Sequence, residues 1–351
     1  MPAGKYFREN KKMKILAIET SCDETSASVT ENGRQVLSNV ISSQIPIHAK
    51  FNGVVPELAS RAHIQNVNVV IKSALEQANI NFDNFSEKID YICCTYGPGL
   101  AGSLLVGVMA AKTLAYIYNK PLVPVNHIEG HMYSAAIENK ALKPPFLSVV
   151  ISGGHTELVI VKDYGKYVFL GGTRDDACGE AFDKVAKILG LSYPGGPLID
   201  KLADLGNPKS VNFTRPLLKG CWDFSFSGIK TAVLNYSKKV DIKKQAVIND
   251  ICAGFRQAVA ETLVYKAFEA VEKYSLKSVV LGGGVSCNSL IRKMFKEYAV
   301  KNKVKIFIPS PVFCTDNAAM IAVAAYYKIS SKYYKINDQI NIKPSLELEN
   351  W

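Results

Sequence analysis

The stretch Lys14-Ile-Leu-Ala-Ile-Glu-Thr-Ser-Cys-Asp-Glu-Thr25 joins an apolar run to a short polar turn, and the fold can be worked out from it. Residues 26–30 and 35–41 continue with two more runs of β character, separated by a turn that contains Asn-Gly. Strand, polar turn, strand, tight turn and strand in this order predict a three-stranded antiparallel meander. Its first turn carries Asp23 and Glu24, which can face a phosphate, a metal ion or a water molecule. An ordinary hairpin loop would explain the turn equally well.

The same unit recurs in the second half of the chain. Residues 146–151 form an apolar run, Ser152-Gly-Gly-His-Thr156 is a small polar turn, and two further strand-like runs extend to residue 170. We interpret the recurrence as an internal duplication in an α/β protein, with the two polar turns flanking one cleft. The dipeptide Pro144-Pro145 is the best candidate for the boundary between two lobes.

Composition restricts the class of protein. A chain of 351 residues with 48% hydrophobic and 21% charged residues is typical of a globular protein of about two domains. The net charge of +11 favours polyanionic partners such as tRNA or nucleotides, although a generally basic proteome would give the same excess. Eight scattered cysteines without a CxxC pair indicate a reducing, cytoplasmic setting. No apolar run is long enough to span a membrane, and residues 1–13 are expected to be a disordered tail rather than a signal peptide.

Two of the five histidines, His127 and His131, stand four residues apart. On a helix their imidazoles would share one face, within reach of one metal ion; the alternative is two unrelated surface histidines. A zinc-protease helix carries a glutamate directly after the first histidine, whereas Glu129 comes two residues after it. A third ligand must come from elsewhere. Asp316, in a loop after a strand, is a candidate, although an aspartate there also stabilises a helix N-terminus.

Glycine-rich turns precede two predicted helices. Gly282-Gly-Gly-Val-Ser-Cys-Asn-Ser289 predicts a nucleotide site with Asn288 pointing into it, because a tight turn alone needs fewer glycines. For Tyr96-Gly-Pro-Gly-Leu-Ala-Gly-Ser103 we favour tight packing of strand and helix over anion binding, since no P-loop lysine follows. Asp176, Glu180 and Asp183 are spaced to share a helix face, either towards a substrate or towards solvent.

Several long blocks resemble one family, once called O-sialoglycoprotease and now assigned as tRNA N6-adenosine threonylcarbamoyltransferase (TsaD). They cover residues 14–330. In order, the blocks are Glu19-Thr-Ser-Cys-Asp-Glu-Thr25, the run from Lys112 through Pro121 to His127-Ile-Glu-Gly-His131-Met132, Ser152-Gly-Gly-His-Thr156, Gly179-Glu-Ala-Phe-Asp-Lys184, Tyr193-Pro-Gly-Gly-Pro197, Gly282-Gly-Gly-Val285 with Asn288, and Thr315-Asp316-Asn317. The turn at Gly97–Ser103 is similar to the bacterial and organellar branch.

The resemblance implies a two-lobed actin/Hsp70/sugar-kinase-like (ASKHA) fold with duplicated ribonuclease-H-like subdomains. It implies the following division: tail 1–13, first lobe 14–143, second lobe 144–315, a terminal helix 316–330 near the metal, and a peripheral tail 331–351. It implies one Fe²⁺ or Zn²⁺ per subunit held by His127, His131 and Asp316. The adenylate of the substrate would contact Val150, Ile151, Ser152, Gly153, Gly154, Asp183, Gly196, Asp200 and Asn288.

The implied reaction moves threonylcarbamoyl from threonylcarbamoyl-adenylate to N6 of the adenosine beside the anticodon in tRNAs that read ANN codons. Asp23 or Glu24 would orient the nucleophile or take its proton. A paralogous TsaB-like subunit and a small TsaE-like ATPase are expected partners, and a membrane is not. The main alternative is an ATPase or phosphotransferase of the same fold, but such enzymes bind Mg²⁺ through phosphates rather than imidazoles. A metalloprotease and a non-enzymatic nucleotide-binding scaffold fit the motifs less well.

Overall fold

Two five-stranded sheets form the framework of the molecule. The computed structural model describes residues 12–216, 220–331, 334 and 340–351. The expected disordered tail therefore lies outside the described residues, except for Lys12 and Met13. None of the helices in the described ranges combines the length and the apolar character that crossing a membrane requires.

The first sheet has the strand order β3-β2-β1-β4-β5. Its strands are β1 (Lys14–Glu19), β2 (Glu24–Glu31), β3 (Gln35–Ser43), β4 (Tyr91–Gly97) and β5 (Leu122–Asn126). The first three strands are the predicted antiparallel meander, and β4 and β5 add in parallel beside β1. Parallel strands need crossover connections. These contain helices α1 (Ile45–His48), α2 (Pro56–Gln77), α3 (Phe85–Lys88) and α4 (Ala101–Ile117).

The second sheet repeats this topology in the order β10-β9-β6-β7-β8. Its strands are β6 (Phe146–Ile151), β7 (Thr156–Asp163), β8 (Lys166–Gly172), β9 (Ser278–Gly282) and β10 (Lys305–Phe307). Again the first three are an antiparallel meander and the last two are parallel. The helices of this half are α6 (Cys178–Ile188), α7 (Gly195–Ala203), α8 (Ser227–Ser237), α9 (Gln245–Lys273), α10 (Ser289–Lys301) and α11 (Pro311–Cys314). The internal duplication inferred from the two polar turns is thus present strand for strand.

Two helices link the halves. Helix α5 (His127–Tyr133) follows β5, and helix α12 (Ala318–Ser330), the last helix within the described ranges, packs against α5, β1 and β2. The chain therefore returns to the first sheet after completing the second. The apolar cluster around α5 and α12 also takes in Val150 of β6 and Val280 of β9, so both sheets share it. This return brings the start of α12 close to α5.

The end of the chain is less peripheral than we expected for residues 331–351. In its described part, Ile340 and Leu346 are buried, and the backbone amide of Lys343 donates to the Tyr96 carbonyl at the end of β4. A few spaced apolar side chains are thus enough to hold an extended segment on the surface.

Candidate metal and substrate site

Strand β5 delivers the histidine pair. The Asn126 side chain accepts a hydrogen bond from the Ile128 amide (2.8 Å) and caps α5, so the helix starts at His127. Both imidazoles are buried on one helix face, and their ring centroids lie 4.7 Å apart. The loop before α12 adds Asp316, whose Oδ1 lies 3.1 Å from His131 Nε2 and 3.6 Å from His127 Nε2. The structure therefore brings together the three residues that the family resemblance assigned to the metal.

The donor set fits a transition metal. One ligand atom from each of His127, His131 and Asp316 lies within 4.8 Å of the others. Both ring nitrogens of His131 are buried and form no properly oriented hydrogen bond with the residues that the structure describes, even though Nε2 approaches the Asp316 carboxylate. Unsatisfied buried polar atoms are uncommon, and an ion would give Nε2 its partner. Two imidazoles and one carboxylate suit iron or zinc and leave coordination positions open.

A carboxylate that sequence analysis missed supports His127 from the other side. Glu19, at the end of β1, is fully buried, and its Oε2 lies 3.3 Å from His127 Nδ1. The Ser21 amide donates to Glu19 Oε1 (2.6 Å), the Thr95 hydroxyl donates to Oε2, and Ser21 Oγ lies 3.1 Å from His127 Nδ1. These contacts orient the imidazole with Nε2 towards Asp316. The sequence signals for Glu19 were its place at the end of an apolar strand and at the start of the block Glu19–Thr25.

The electrostatics of this cluster favour a cation. Burial alone would lower the pKa of His127, but the carboxylates of Asp316 and Glu19 raise it to about 9. Burial disfavours the charge of Asp316, yet the neighbouring imidazoles hold its pKa well below the usual range. The pKa of His131 is lowered by burial. The buried carboxylate of Glu19 and the half-buried carboxylate of Asp316 thus face one imidazolium, and a divalent ion can replace the proton there.

The two duplicated turns meet at the metal cluster. Ser21, in the first turn, contacts His127, and the ring of His155, in the second, has its centroid 6.3 Å from that of His127. Burial and the two nearby histidines lower the pKa of His155 to about 4, which keeps it neutral. The candidate metal ligands therefore lie where the two polar turns meet, as the predicted cleft requires.

A cavity of about 500 Å³ lies in the second lobe, between α6, α7 and the glycine turn after β9. Of the residues assigned to the adenylate by resemblance, Gly153, Asp183, Gly196, Asp200 and Asn288 line it. A Cβ added at Gly153, Gly154 or Gly196 would meet nothing within 4 Å, so the backbone there is open to a ligand.

The other assigned residues are placed differently. The side chains of Val150 and Ile151 are fully buried in the core of β6, and Ser152 is nearly so. Any contact between Val150 or Ile151 and a ligand would therefore use the backbone. The side-chain oxygen of Ser152 accepts from the His155 amide (3.0 Å), which stabilises the turn.

Several polar residues of the cavity also hold the scaffold together. Asp200 binds Arg256 (2.7 Å) and the amide of Ser289 (2.9 Å), and the Asn288 side chain caps α10 through the Ile291 amide (3.1 Å). Asp183 accepts from the amide of Gly195 (2.7 Å), while burial raises its pKa.

The carboxylate face expected on α6 is not formed. Asp176 precedes the helix and binds Lys184 and Lys230, each at 2.5 Å, and Glu180 pairs with Lys184 at 2.7 Å. Only Asp183 of the three reaches the cavity. The expectation was wrong because α6 begins at Cys178, one residue after its N-cap, so the spacing did not apply to Asp176.

The two glycine turns have distinct roles. A Cβ at Gly99 would lie 2.5 Å from the Ser21 carbonyl, which confirms that the first turn is built for tight packing. In the triple-glycine turn, a Cβ at Gly282 would lie 2.4 Å from the His131 carbonyl, and one at Gly283 2.3 Å from the Ile151 carbonyl. Close packing against the site thus requires Gly282 and Gly283, whereas Gly284 lines the cavity.

The turn with Asp23 and Glu24 interacts electrostatically with both the metal cluster and the cavity wall. Burial raises the pKa of Asp183 in the cavity wall, and the charge of Asp23 adds to this effect. Burial, followed by the charges of Asp23 and Asp316, raises the pKa of Glu24 well above its usual value. Burial and acidic neighbours therefore both favour protonation of Glu24.

The chain matches known proteins over most of its length. Residues 35–323 match the family model described as tRNA N6-adenosine threonylcarbamoyltransferase. A protein of that name from Endomicrobium trichonymphae is 65% identical over 340 residues, covering 97% of this chain and 99% of its own length. Another from Clostridium novyi (strain NT) is 52% identical over 322 residues, covering 91% and 93%.

Solved structures agree with the topology. HypF from T. kodakarensis aligns with a TM-score of 0.64 at 15% identity, over 93% of this chain and 49% of its own. Component A of (R)-2-hydroxyglutaryl-CoA dehydratase from Acidaminococcus fermentans aligns with a TM-score of 0.53 at 16% identity, over 91% and 100%. Such likeness concerns the fold alone, and it confirms the predicted actin/Hsp70/sugar-kinase-like class. Together with the match over residues 35–323, the close relatives place the chain in the tRNA N6-adenosine threonylcarbamoyltransferase family.

Proposed function

We propose that this chain transfers the threonylcarbamoyl group from threonylcarbamoyl-adenylate to N6 of the adenosine beside the anticodon in tRNAs that read ANN codons. Its family is one of acyltransferases that act on tRNA. In the reaction, N6 attacks the carbamoyl carbon, the bond from that carbon to the phosphate oxygen breaks, AMP leaves with the electron pair, and N6 loses a proton. The observation that carries the proposal is the convergence of His127, His131 and Asp316 beside a nucleotide-sized cavity.

His127, His131 and Asp316 would hold one Fe²⁺ or Zn²⁺ per subunit. When bound, such an ion supplies a Lewis acid for the oxygens of the substrate. The chain's own contribution is geometry: Glu19 fixes the tautomer and direction of His127, and the cap at Asn126 fixes the start of α5. These side chains are buried, so little rearrangement is needed when the ion enters.

The cavity would hold the adenylate. The open backbone at Gly153 and Gly154 allows a phosphate to approach closely, with Val150, Ile151 and Ser152 supporting that turn from the core. Asp183, Gly196, Asp200 and Asn288 line the remainder, where carboxylate and amide groups can bind ribose hydroxyls and base edges. In this arrangement the activated carbonyl would lie between the cavity and the candidate metal ligands.

Asp23 and Glu24 would handle the proton. The pKa of Glu24 is raised by burial and by neighbouring charges, so its protonated form would donate a hydrogen bond to the substrate. Asp23 would then accept the proton that leaves N6. The electrostatic interaction of Asp316 with Glu24, and of Asp23 with Asp183 in the cavity wall, supports this division of roles.

The charge and the exposed apolar side chains of the surface support the expected partners. The excess of 42 basic over 31 acidic residues would bind tRNA with an affinity that falls as salt rises. Large apolar side chains are exposed on α2 and α4, namely Ile64, Val69, Leu105, Met109, Tyr116 and Ile117. Since exposed apolar patches mark interaction sites, we assign this face to the paralogous subunit, with a small ATPase as a further partner. The eight scattered cysteines, which include no CxxC pair, fit a reducing cytoplasm.

The test is a reconstituted transfer assay with purified chain, partner subunits, tRNA and threonylcarbamoyl-adenylate. Modified tRNA and AMP should form in equal amounts, and Asp316→Asn should abolish both, whereas the exposed control Asp241→Asn should leave both unchanged. ATP hydrolysis by the purified chain alone, supplied with ATP, together with no modification of tRNA in the transfer assay, would instead support the phosphotransferase alternative. Unchanged activity in Asp316→Asn would contradict the proposed site.

A further inference from the structure

Residues 340–351, which we call the strap, cross both lobes beside helix α5. In the first lobe, the Gly99 amide donates to the Pro344 carbonyl (3.0 Å), and the Asn126 side chain donates to the Glu347 carbonyl (3.1 Å). In the second lobe, the amide of Tyr167 donates to Asn350 Oδ1 (2.6 Å). The strap therefore joins the two sheets, and one of its contacts is the residue that caps the metal-bearing helix.

Glycines mark the path of the strap. A Cβ at Gly97 would lie 2.0 Å from the Lys343 carbonyl and 2.9 Å from Leu346 Cβ. A Cβ at Gly165, which has φ +72°, would lie 2.5 Å from the indole of Trp351. No side chain larger than hydrogen fits at either position, so both lobes are shaped to receive the strap.

The end of the strap reaches Glu129, which is buried on α5. The Trp351 indole N–H donates to Glu129 Oε1, and the Tyr167 hydroxyl donates to the same oxygen (2.8 Å). Lys328 Nζ lies 3.4 Å from Glu129 Oε2 and 5.6 Å from the centroid of the Trp351 ring. Glu129 and Lys328 are both nearly inaccessible to solvent.

This joint connects the two elements that carry the metal ligands. Glu129 lies two residues from each histidine on α5, so at about 100° per residue it points to the opposite face of the helix. Lys328 lies on α12, and Asp316 comes directly before the N-cap residue of that helix. Trp351 contacts Glu129 on α5 and Lys328 on α12, so these contacts hold the two helices together. They thereby help to set the distance between His131 and Asp316.

We propose that the strap positions the metal ligands, with Trp351 and Glu129 as positioning residues that hold α5 against α12. The proposal rests on the proposed function only in taking His127, His131 and Asp316 as the ligands. Groups that orient metal ligands typically change metal affinity by about 10-fold or more. The strap thus adds a determinant of the site from a segment outside the motifs of the family.

The test measures zinc affinity rather than activity. Metal-free full-length protein is titrated with Zn²⁺ against a chromophoric chelator, and Trp351→Phe, which keeps an aromatic ring but loses the N–H donor, should bind zinc about 10-fold more weakly. Trp222→Phe, at the other tryptophan of the chain, is the matched control and should bind as the wild type does. A merely structural strap would lower the melting temperature of the metal-free protein and leave zinc affinity unchanged.

Further measurements separate the outcomes. If Trp351→Phe does not fold, Asn350→Ala removes the contact with the Tyr167 amide and should weaken zinc binding in the same direction. Unchanged zinc affinity in the folded variant overturns the role of the strap. Tight zinc binding by a wild type that modifies no tRNA overturns only the proposed function, and a wild type that binds no zinc overturns both.

Discussion

Replacing Lys328 with methionine should destabilise the protein strongly. The Lys328–Glu129 pair is buried, with 7% and 2% of the two side chains exposed, so the change leaves a carboxylate without its counter-charge. Removing one partner of such a pair costs about 3–5 kcal/mol. Tyr167 and Trp351 still donate to Glu129, so we expect the lower end, about 3 kcal/mol. For 351 residues this corresponds to a fall in melting temperature of about 4 °C.

The assay is urea unfolding of the wild type, Lys328→Met and the double variant Lys328→Met/Glu129→Gln. The double variant should recover most of the loss, because the neutral amide avoids an unpaired buried charge and its oxygen can still accept from Tyr167 and Trp351. Lys72→Met is the matched control, since Lys72 and Glu76 form an exposed pair that should contribute less than about 0.5 kcal/mol. A loss below about 1 kcal/mol in Lys328→Met, or no recovery in the double variant, would refute the reasoning.

Three further predictions concern the site and its support. Glu19→Gln should weaken zinc binding about 10-fold in chelator competition, because the carboxylate that orients a ligand imidazole is lost; equal affinity would contradict this role. Burial raises the pKa of Glu157 to about 7, so the folded protein binds an extra proton between pH 4.5 and 7, and stability falls as pH rises through that window. Urea unfolding should show that Glu157→Gln removes this fall, and parallel pH profiles for the two proteins would argue against it. Gly99→Ala should cost about 1–3 kcal/mol of stability by pushing on the Ser21 carbonyl, whereas Gly228→Ala, where a Cβ meets nothing, should cost none in the same unfolding assay.

Much of the fold was predictable because its signals are local. The apolar runs at Lys14–Glu19 and Phe146–Ile151, each followed by a polar turn, predicted two meanders that the structure contains. The spacing of His127 and His131 predicted their common helix face. Asn126 caps that helix, so it begins at His127. In each case the pattern depends on the period of a helix or strand, which sequence displays directly.

The parts that were not predicted depend on contacts between distant segments. Nothing near Glu19 in the sequence indicates that it lies beside His127, which is 108 residues away. The strap was expected to be peripheral. Its contact with Glu129 could not be predicted, because Trp351 and Glu129 are far apart in the sequence and meet only in the folded protein. The helix face expected from Asp176 was wrong because the start of α6 depends on its tertiary setting.

The sequence by itself determined the two duplicated units, the histidine pair and the family. Each depends on a local period of apolar residues, on a residue spacing or on long ordered motifs. Only the tertiary structure decided which groups surround the metal ligands. The return of α12 to the first lobe sets Asp316 beside His131, and packing around α5 selects Glu19, Glu129 and Trp351 as its supports. The physical reason is that burial and hydrogen bonding act through space, and the chain brings these residues together only when both sheets are assembled.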